Sequence, residues 1–521
     1  MKIYKYISII LLAFSTLFLI QCTGAFEDYN KTGVSDEEGE RDAYFLRQHM
    51  VNMQNWVIPS DAHAHQFTEQ LLGGPYSRYF TDVSPGFNNK NFATYTPEDA
   101  WSAATFGNIM TNVITSYNTV IAMTDDPILL SVAKVLKVMA MSRITDIYGP
   151  IPYSQLDGKG NLNTPYDSQQ VVYETMISEL NEAIEVLTEN RTSDFSSKAD
   201  RYYTGKTLKW AKLANSVKLR LAIRMADVNT AFAKSTAESV ITDAVGPMTS
   251  NDDNAVLILI SGQSNPYQVG MSDWNGGDSR ISADIISYMN GYNDPRLGKY
   301  FDESAFGGYV GFRSGVTIPS PQSTNQLYSN MSESLRSASN MRIMCAAEVA
   351  FLKAEGALRG WSMGGGTAKD FYEEGITLSF EQNGVSGATA YIADNTNTPE
   401  RYTDPLTPQF SYFGVPGTIK IAWDNLASYE TNLERIITQK WIAIYPDGIE
   451  AWSEFRRTGY PKLMPVLTNN SSVVSTTRMA RRLRYPNSEY TGNLTNVQYA
   501  VSNYLGGADN MATDLWWAKK N

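Results

Sequence analysis

Cysteine, histidine and positive charge are all in short supply in this chain of 521 residues, which has two cysteines, three histidines and 43 Lys+Arg against 54 Asp+Glu. Each shortage closes off a class of protein. Two cysteines cannot build a disulfide framework, so a body of this length must be held by packing. His49, His63 and His65 offer little to a metal centre, because no cysteine or carboxylate cluster accompanies the His63-x-His65 pair. A Ser-His-Asp hydrolase would have to use one of these three histidines, and no G-x-S-x-G turn stands between a strand and a helix. P-loop and dinucleotide fingerprints are missing as well. No metal, no cofactor and no catalytic residue is expected. The net charge of −11 argues against nucleic acid, whose phosphates need clustered cations, and against electrostatic adhesion to an anionic membrane.

Long apolar runs are also few. The one at Ile7–Ile20 is about 14 residues, short of the roughly 20 that span a bilayer. Lys2 and Lys5 precede it and Gln21-Cys22 ends it, the order of a secretory signal. A cysteine in that place marks a bacterial lipoprotein, cut before Cys22 and acylated on it, although Gln21 stands where a small residue is usual. Residues 1–21 are therefore expected to be the signal, 22–41 a polar, acidic, flexible tether, and 42–521 a single body. With Cys22 acylated, Cys345 has no disulfide partner. It lies in an apolar helical stretch and is expected in the core.

What is abundant is helix signal and tyrosine. Thr96-Pro97-Glu98-Asp99 is a capping hydroxyl, a proline and two acids, and it predicts a helix to about Thr124. Asp126-Pro127 opens another to about Thr145. A third starts at Asp167 or Ser168, with Val172, Met176, Leu180, Ile184 and Leu187 as one apolar stripe. Further helices are expected at 207–226, 342–358, 369–383, 433–445 and 449–457. They come as hairpins, without the fixed period of a tandem repeat. Two long irregular inserts, at about 243–333 and 385–430, interrupt them. Inserts of that length are usually functional surfaces or linkers. Tyrosine (31) outnumbers phenylalanine (20), which suits a surface that offers flat apolar faces and hydroxyls together.

Three segments carry a family resemblance: 143–154, RITDIYGPIPYS; 209–226, KWAKLANSVKLRLAIRMA; and 439–461, QKWIAIYPDGIEAWSEFRRTGYP, followed by RRLRYPNSEY at 481–490. In this order, after a lipoprotein signal and before Trp516-Trp517, the chain resembles the SusD/RagB-type nutrient-binding outer-membrane lipoproteins of Bacteroidetes. The resemblance implies a mostly α fold, with tetratricopeptide-like helix pairs as scaffold and loops with minor β-structure building the ligand face. It implies a lipid-anchored protein facing the cell exterior that captures oligosaccharides, or peptides in some relatives. It also implies a SusC-like TonB-dependent transporter as partner and no catalysis.

The motif residues themselves look structural. Arg456, Arg457, Arg481, Arg482 and Arg484 are expected to pair with carboxylates or cap helices, and Trp441, Trp452 and Phe455 to be core. The ligand site is then expected in the inserts. Tyr267, Trp274, Asn275, Asp278, Tyr292 and Tyr309 lie in one aromatic and polar stretch, with Trp274-Asn275-Gly276-Gly277-Asp278 as a loop tip. Tyr76, Arg78, Tyr79, Phe87 and Asn88 are candidates for the facing wall. Two other functions fit the sequence: a helical glycan-cleaving enzyme with paired carboxylates, and a scaffold that binds protein only.

Overall fold

The computed structural model describes residues 43–156 and 163–518. The signal, Cys22 and the tether lie outside the described residues. Contacts separate the chain up to Gln48 from a much larger unit that begins at His49.

Helices dominate the larger unit. The long ones are α1 (Tyr44–Val57), which begins just before it, α2 (Asp99–Met123), α3 (Pro127–Tyr148), α4 (Gln169–Glu189), α5 (Thr207–Arg224), α6 (Thr230–Thr242), α7 (Ala283–Gly291), α8 (Ala346–Leu358), α9 (Ala368–Gln382), α10 (Tyr429–Ala443), α11 (Gly448–Thr458) and α12 (Leu494–Asn503). Their starts follow the caps. Asp126 accepts from the Ile128 and Leu129 amides at 2.9 and 3.3 Å, with Pro127 in the first turn of α3. Ser168 does the same for α4, and the predicted stripe from Val172 to Leu187 is buried. Helix α2 packs on α3, α3 on α4, α4 on α5, and α8 on α5, α9 and α10.

The structure corrects three expectations. Arg342 does not open a helix. Asn340–Met344 forms strand β4, antiparallel to β2 (Ala255–Ile258), and α8 starts after Cys345. The apolar run there serves a strand first and a helix second. The insert at 243–333 is not without regular structure: it contains β2, β3 (Ser279–Ile281) and α7. Helix α6 lay outside the predicted set because its Ala, Ser and Thr residues carry little periodic contrast. Among the described residues the strands form two two-stranded sheets, β1 (Phe80–Asp82) with β3 and β2 with β4.

The family-like segments close the scaffold. Arg220 and Arg224 on α5, Lys440 on α10 and Arg457 on α11 interlock with Glu348 and Glu355 on α8 and Glu450 and Glu454 on α11. Lys440 lies 2.9 Å from Glu450, and Arg457 reaches Glu355 at 2.6 Å and Glu454 at 2.8 Å. Burial pushes the Glu454 carboxyl up, but Arg457, Lys440 and Arg224 outweigh it and hold it down at about 2. At Tyr148-Gly149-Pro150, Arg482 donates to the Tyr148 carbonyl at 2.7 and 2.9 Å, and the Tyr485 hydroxyl donates to that of Pro150 at 2.6 Å. Asp146 accepts from the Trp517 indole at 3.0 Å. Arg481 pairs with Asp514 and Arg482 with Asp509, while Arg456 stacks on Trp452 at 3.5 Å. Cys345 is buried, and burial pushes its thiol pKa up.

Candidate functional site

Two stretches picked out in the sequence as opposite walls are joined by backbone. Phe80–Asp82 pairs with Ser279–Ile281, placing Phe80 opposite Ile281 and Asp82 opposite Ser279. Each strand is preceded by an uncommon element. Gln66–Gly73 is π-helical, continuing the turn Ala62–His65, and Val269–Asp273 is π-helical, continuing Pro266–Gln268. Such widened turns are rare and collect at functional sites. The two touch at Gly270, where a Cβ would lie 2.0 Å from Gln70 Oε1. Gln70 is itself fixed, donating to the Pro266 carbonyl at 2.9 Å.

Between these walls lies a cavity of about 280 Å³ lined by His63, Gln66, Phe67, Phe87, Trp101, Trp274, Asn275 and Asp278. Trp274 is the residue at which the second π-helical turn stops, its amide donating to the Val269 carbonyl at 2.9 Å. The chain then reverses through Asn275, Gly276 and Gly277, all with positive φ. Gly277 cannot carry a side chain, since a Cβ would meet the Met271 carbonyl oxygen at 2.1 Å. Arg280 and Gln326 hold the tip from beneath by donating to the Gly276 and Asn275 carbonyls at 2.9 and 2.7 Å. Across the cavity, Trp101 is met edge-on by Phe87 at 5.0 Å and by the tilted ring of Phe67 at 5.5 Å, with the Lys90 ammonium 5.8 Å from its centroid.

Asp278 is the acid of the site. Gln66 donates to its Oδ2 at 3.0 Å. Burial raises its pKa, and hydrogen bonds from Gln322, Gln66 and Asn275 restrain the rise. Behind it, Asp82 is fully buried, neither carboxylate oxygen has a hydrogen-bond partner among the described residues, and burial together with the Asp278 charge pushes its pKa well up. The arrangement offers flat rings, an amide tip and a carboxyl rather than a pair of solvent-open acids.

Of the predicted residues, Trp274, Asn275, Asp278 and Phe87 meet in this cavity. Asn88 lies beside Phe87 and acts as a clamp, exchanging hydrogen bonds with the backbone of Ile318 at 2.8 and 2.9 Å. Tyr309 is half-buried, with its hydroxyl near Gly298. The other predicted residues are packed inside, a correction to their expected place on the ligand face. Tyr76 lies against Trp452 at 4.7 Å and Tyr79 stacks on Trp441 at 5.7 Å. Tyr267 meets His65 edge-on at 4.4 Å, and the Tyr292 hydroxyl donates to the Ile419 carbonyl at 2.9 Å. Arg78 donates to Ser314. Tyrosines that satisfy their hydroxyl inside the fold leave no trace of this in the sequence.

Trp101, Phe67, Gln66 and His63 escaped sequence reasoning. Trp101 sits in the first turn of α2 and looked like a helix residue only. His63 and His65 point to different surroundings. His63 is exposed against Phe67, whereas burial and Arg143 lower His65 to about 3. Among the described residues no three His, Cys, Asp or Glu side chains converge as a metal site, and no helix is long and apolar enough to cross a membrane.

Comparison with known proteins places this geometry in a family context. The SusD-like family, described as Susd and RagB outer membrane lipoprotein, matches residues 28–518. A SusD homolog from Bacteroides uniformis is 44% identical, with a TM-score of 0.88, over 92% of this chain and 100% of that one. A SusD homolog from Bacteroides thetaiotaomicron is 42% identical, with a TM-score of 0.85, over 91% and 99%. A chitin-binding SusD homolog from Flavobacterium johnsoniae is 38% identical, with a TM-score of 0.87, over 91% and 99%. Among curated proteins none matches.

Proposed function

Because the chain belongs to the SusD-like family of outer membrane lipoproteins, we propose that it captures oligosaccharides at the cell surface without cleaving them. The observation that carries this reading is the cleft of Trp274, Phe87 and Trp101 closed by Asn275, Gln66 and Asp278. Aromatic faces cover the C–H faces of a sugar ring, and the amides and carboxyl take its hydroxyls. A relative of similar fold binds chitin, which makes chito-oligosaccharides the first ligands to try. The cleft is small, near the low end of the roughly 300–1,000 Å³ usual for ligand pockets. It therefore grips one part of a longer chain.

In the full role, Cys22 is acylated and holds the protein on the outer face of the outer membrane, and a SusC-like TonB-dependent transporter receives the ligand. Mass spectrometry of the mature N-terminus tests the anchor, with an unmodified terminus elsewhere counting against it. Calorimetry with chito-oligosaccharides, a wider glycan panel and peptides tests the binding. Glycan binding that weakens about tenfold in Trp274→Ala is the expected result, and silence across glycans and peptides alike would sink the reading. An assay for new reducing ends separates capture from cleavage.

A further inference from the structure

A second cavity, of about 480 Å³, lies outside the cleft just described and shares no residue with it. Its lining includes Tyr412 from the second insert, Lys462 and Pro465 from the stretch after α11, and Arg478, Met479 and Arg481 from the stretch before Arg482. Tyr412, Pro465 and Met479 make an apolar wall. Lys462 is exposed on the rim, its ammonium 4.4 Å from the centroid of the Tyr460 ring. Arg478 and Arg481 share the Asp514 carboxylate at 2.9 and 2.6 Å.

What lies behind that wall is unusual. Arg313 stacks under Tyr412 at 5.5 Å and donates through one Nη to the Pro465 carbonyl. Its Nε and other Nη have no hydrogen-bond partner among the described residues. Arg78 touches the Met479 sulfur at 3.9 Å, and its Nε is also without a hydrogen-bond partner among the described residues. Both arginines are 1% exposed. Burial lowers the Arg313 pKa, Asp284 opposes that, and Arg78 adds to it. Asp284 already accepts from the Met464 amide at 2.7 Å and the Ser282 hydroxyl at 3.1 Å. Buried N–H groups of charged side chains are seldom left without acceptors. Here two such side chains stand together directly behind one cavity, in a chain whose net charge is −11.

We propose that this cavity is a second ligand site, for a saccharide unit that carries a carboxylate or sulfate. The apolar wall takes the C–H face of the sugar. The cations behind the wall and on its rim supply an attractive potential for the anionic group, in surroundings that screen it less than water does. The saccharide half of the ligand rests on the glycan-capture reading, and the anionic half rests on Arg78, Arg313 and Lys462 alone.

Calorimetry of the mature protein tests this with oligogalacturonates, sulfated oligosaccharides, chito-oligosaccharides and acidic peptides. An acidic saccharide is expected to bind, more weakly as salt rises, and to keep its affinity in Trp274→Ala. Lys462→Ala is expected to weaken it about fivefold while leaving chito-oligosaccharide binding unchanged. Lys462 is exposed, so the variant folds without rearrangement. No binding of any acidic saccharide overturns the proposal. So does acidic-saccharide binding that is lost in Trp274→Ala and indifferent to Lys462→Ala. Binding of acidic peptides alone overturns the ligand class. Acidic-saccharide binding without chito-oligosaccharide binding would support this site and count only against the first one.

Discussion

Glu454, deep among α8, α10 and α11, faces Arg224, Lys440 and Arg457. Asp82, buried as deeply beneath the cleft, has no hydrogen-bond partner among the described residues and has Asp278 for its charged neighbour. Around Glu454 the helical scaffold thus buries charge with matched partners, whereas beneath the cleft the fold buries the Asp82 carboxyl without one. Matched burial fixes the helix arrangement, because each charge is tolerable only where its partners are. Unmatched burial costs stability, and proteins keep such strain chiefly where a site needs it.

The comparison can be broken most forcefully in the scaffold. Glu454→Gln leaves three buried cations short of a counter-charge and is expected to cost about 3–5 kcal/mol in chemical denaturation. A loss below about 1 kcal/mol would mean that the network is decorative. The same group sets an acid limit. Its pKa is held at about 2 in the fold against an ordinary 4.5, so its stabilisation is fully present above about pH 4.5 and is lost as pH falls toward 2. Melting temperatures recorded across that window should decline, and Glu454→Gln should flatten the decline.

Asp82→Asn tests the opposite side. A raised carboxyl pKa means that the fold favours the protonated form, so stability is lost as pH climbs from the ordinary 3.8 toward the folded value. Asparagine carries no such penalty. The variant is expected to be about 1–2 kcal/mol more stable at pH 7 and no more stable than wild type below about pH 4. Destabilisation at pH 7 would show that Asp82 has a partner after all. The smallest stability effect belongs to Trp274→Ala: within about 1 kcal/mol of wild type, with glycan affinity down about tenfold. A large loss of stability would move Trp274 from the ligand face to the core.

Scaffold elements were legible in the sequence because their signals are local. Asp126-Pro127 and Ser168 announce helix starts within a few residues, and the arginines at 456, 457, 481 and 482 sit in apolar surroundings that demand partners. The cleft was half legible. Trp274-Asn275-Gly276-Gly277-Asp278 reads as a loop tip from its glycines, and it is one. Trp101 could not be found, because its role depends on Phe87 and Phe67 arriving from other segments. Nor could Tyr76, Tyr79, Tyr267 and Tyr292 be told from ligand-facing tyrosines, since their hydroxyl partners are distant in sequence. No local pattern marks the π-helical turns either, nor the register at which Gly270 meets Gln70.

That register has a consequence for change over time. Gly270 and Gln70 meet with no room for one more carbon, so a larger residue at 270 has to displace the Gln70 amide from its bond to the Pro266 carbonyl. The tip at 274–278 lies beyond that joint, braced through the main-chain carbonyls of Asn275 and Gly276, whose positive φ restricts what can stand there. Ligand preference can therefore drift, or be redesigned, most readily at Trp274, since Asn275 holds the turn and Asp278 is tied to Gln66. Gly270 marks where the two walls lock together, and Trp274 marks where the site is open to editing.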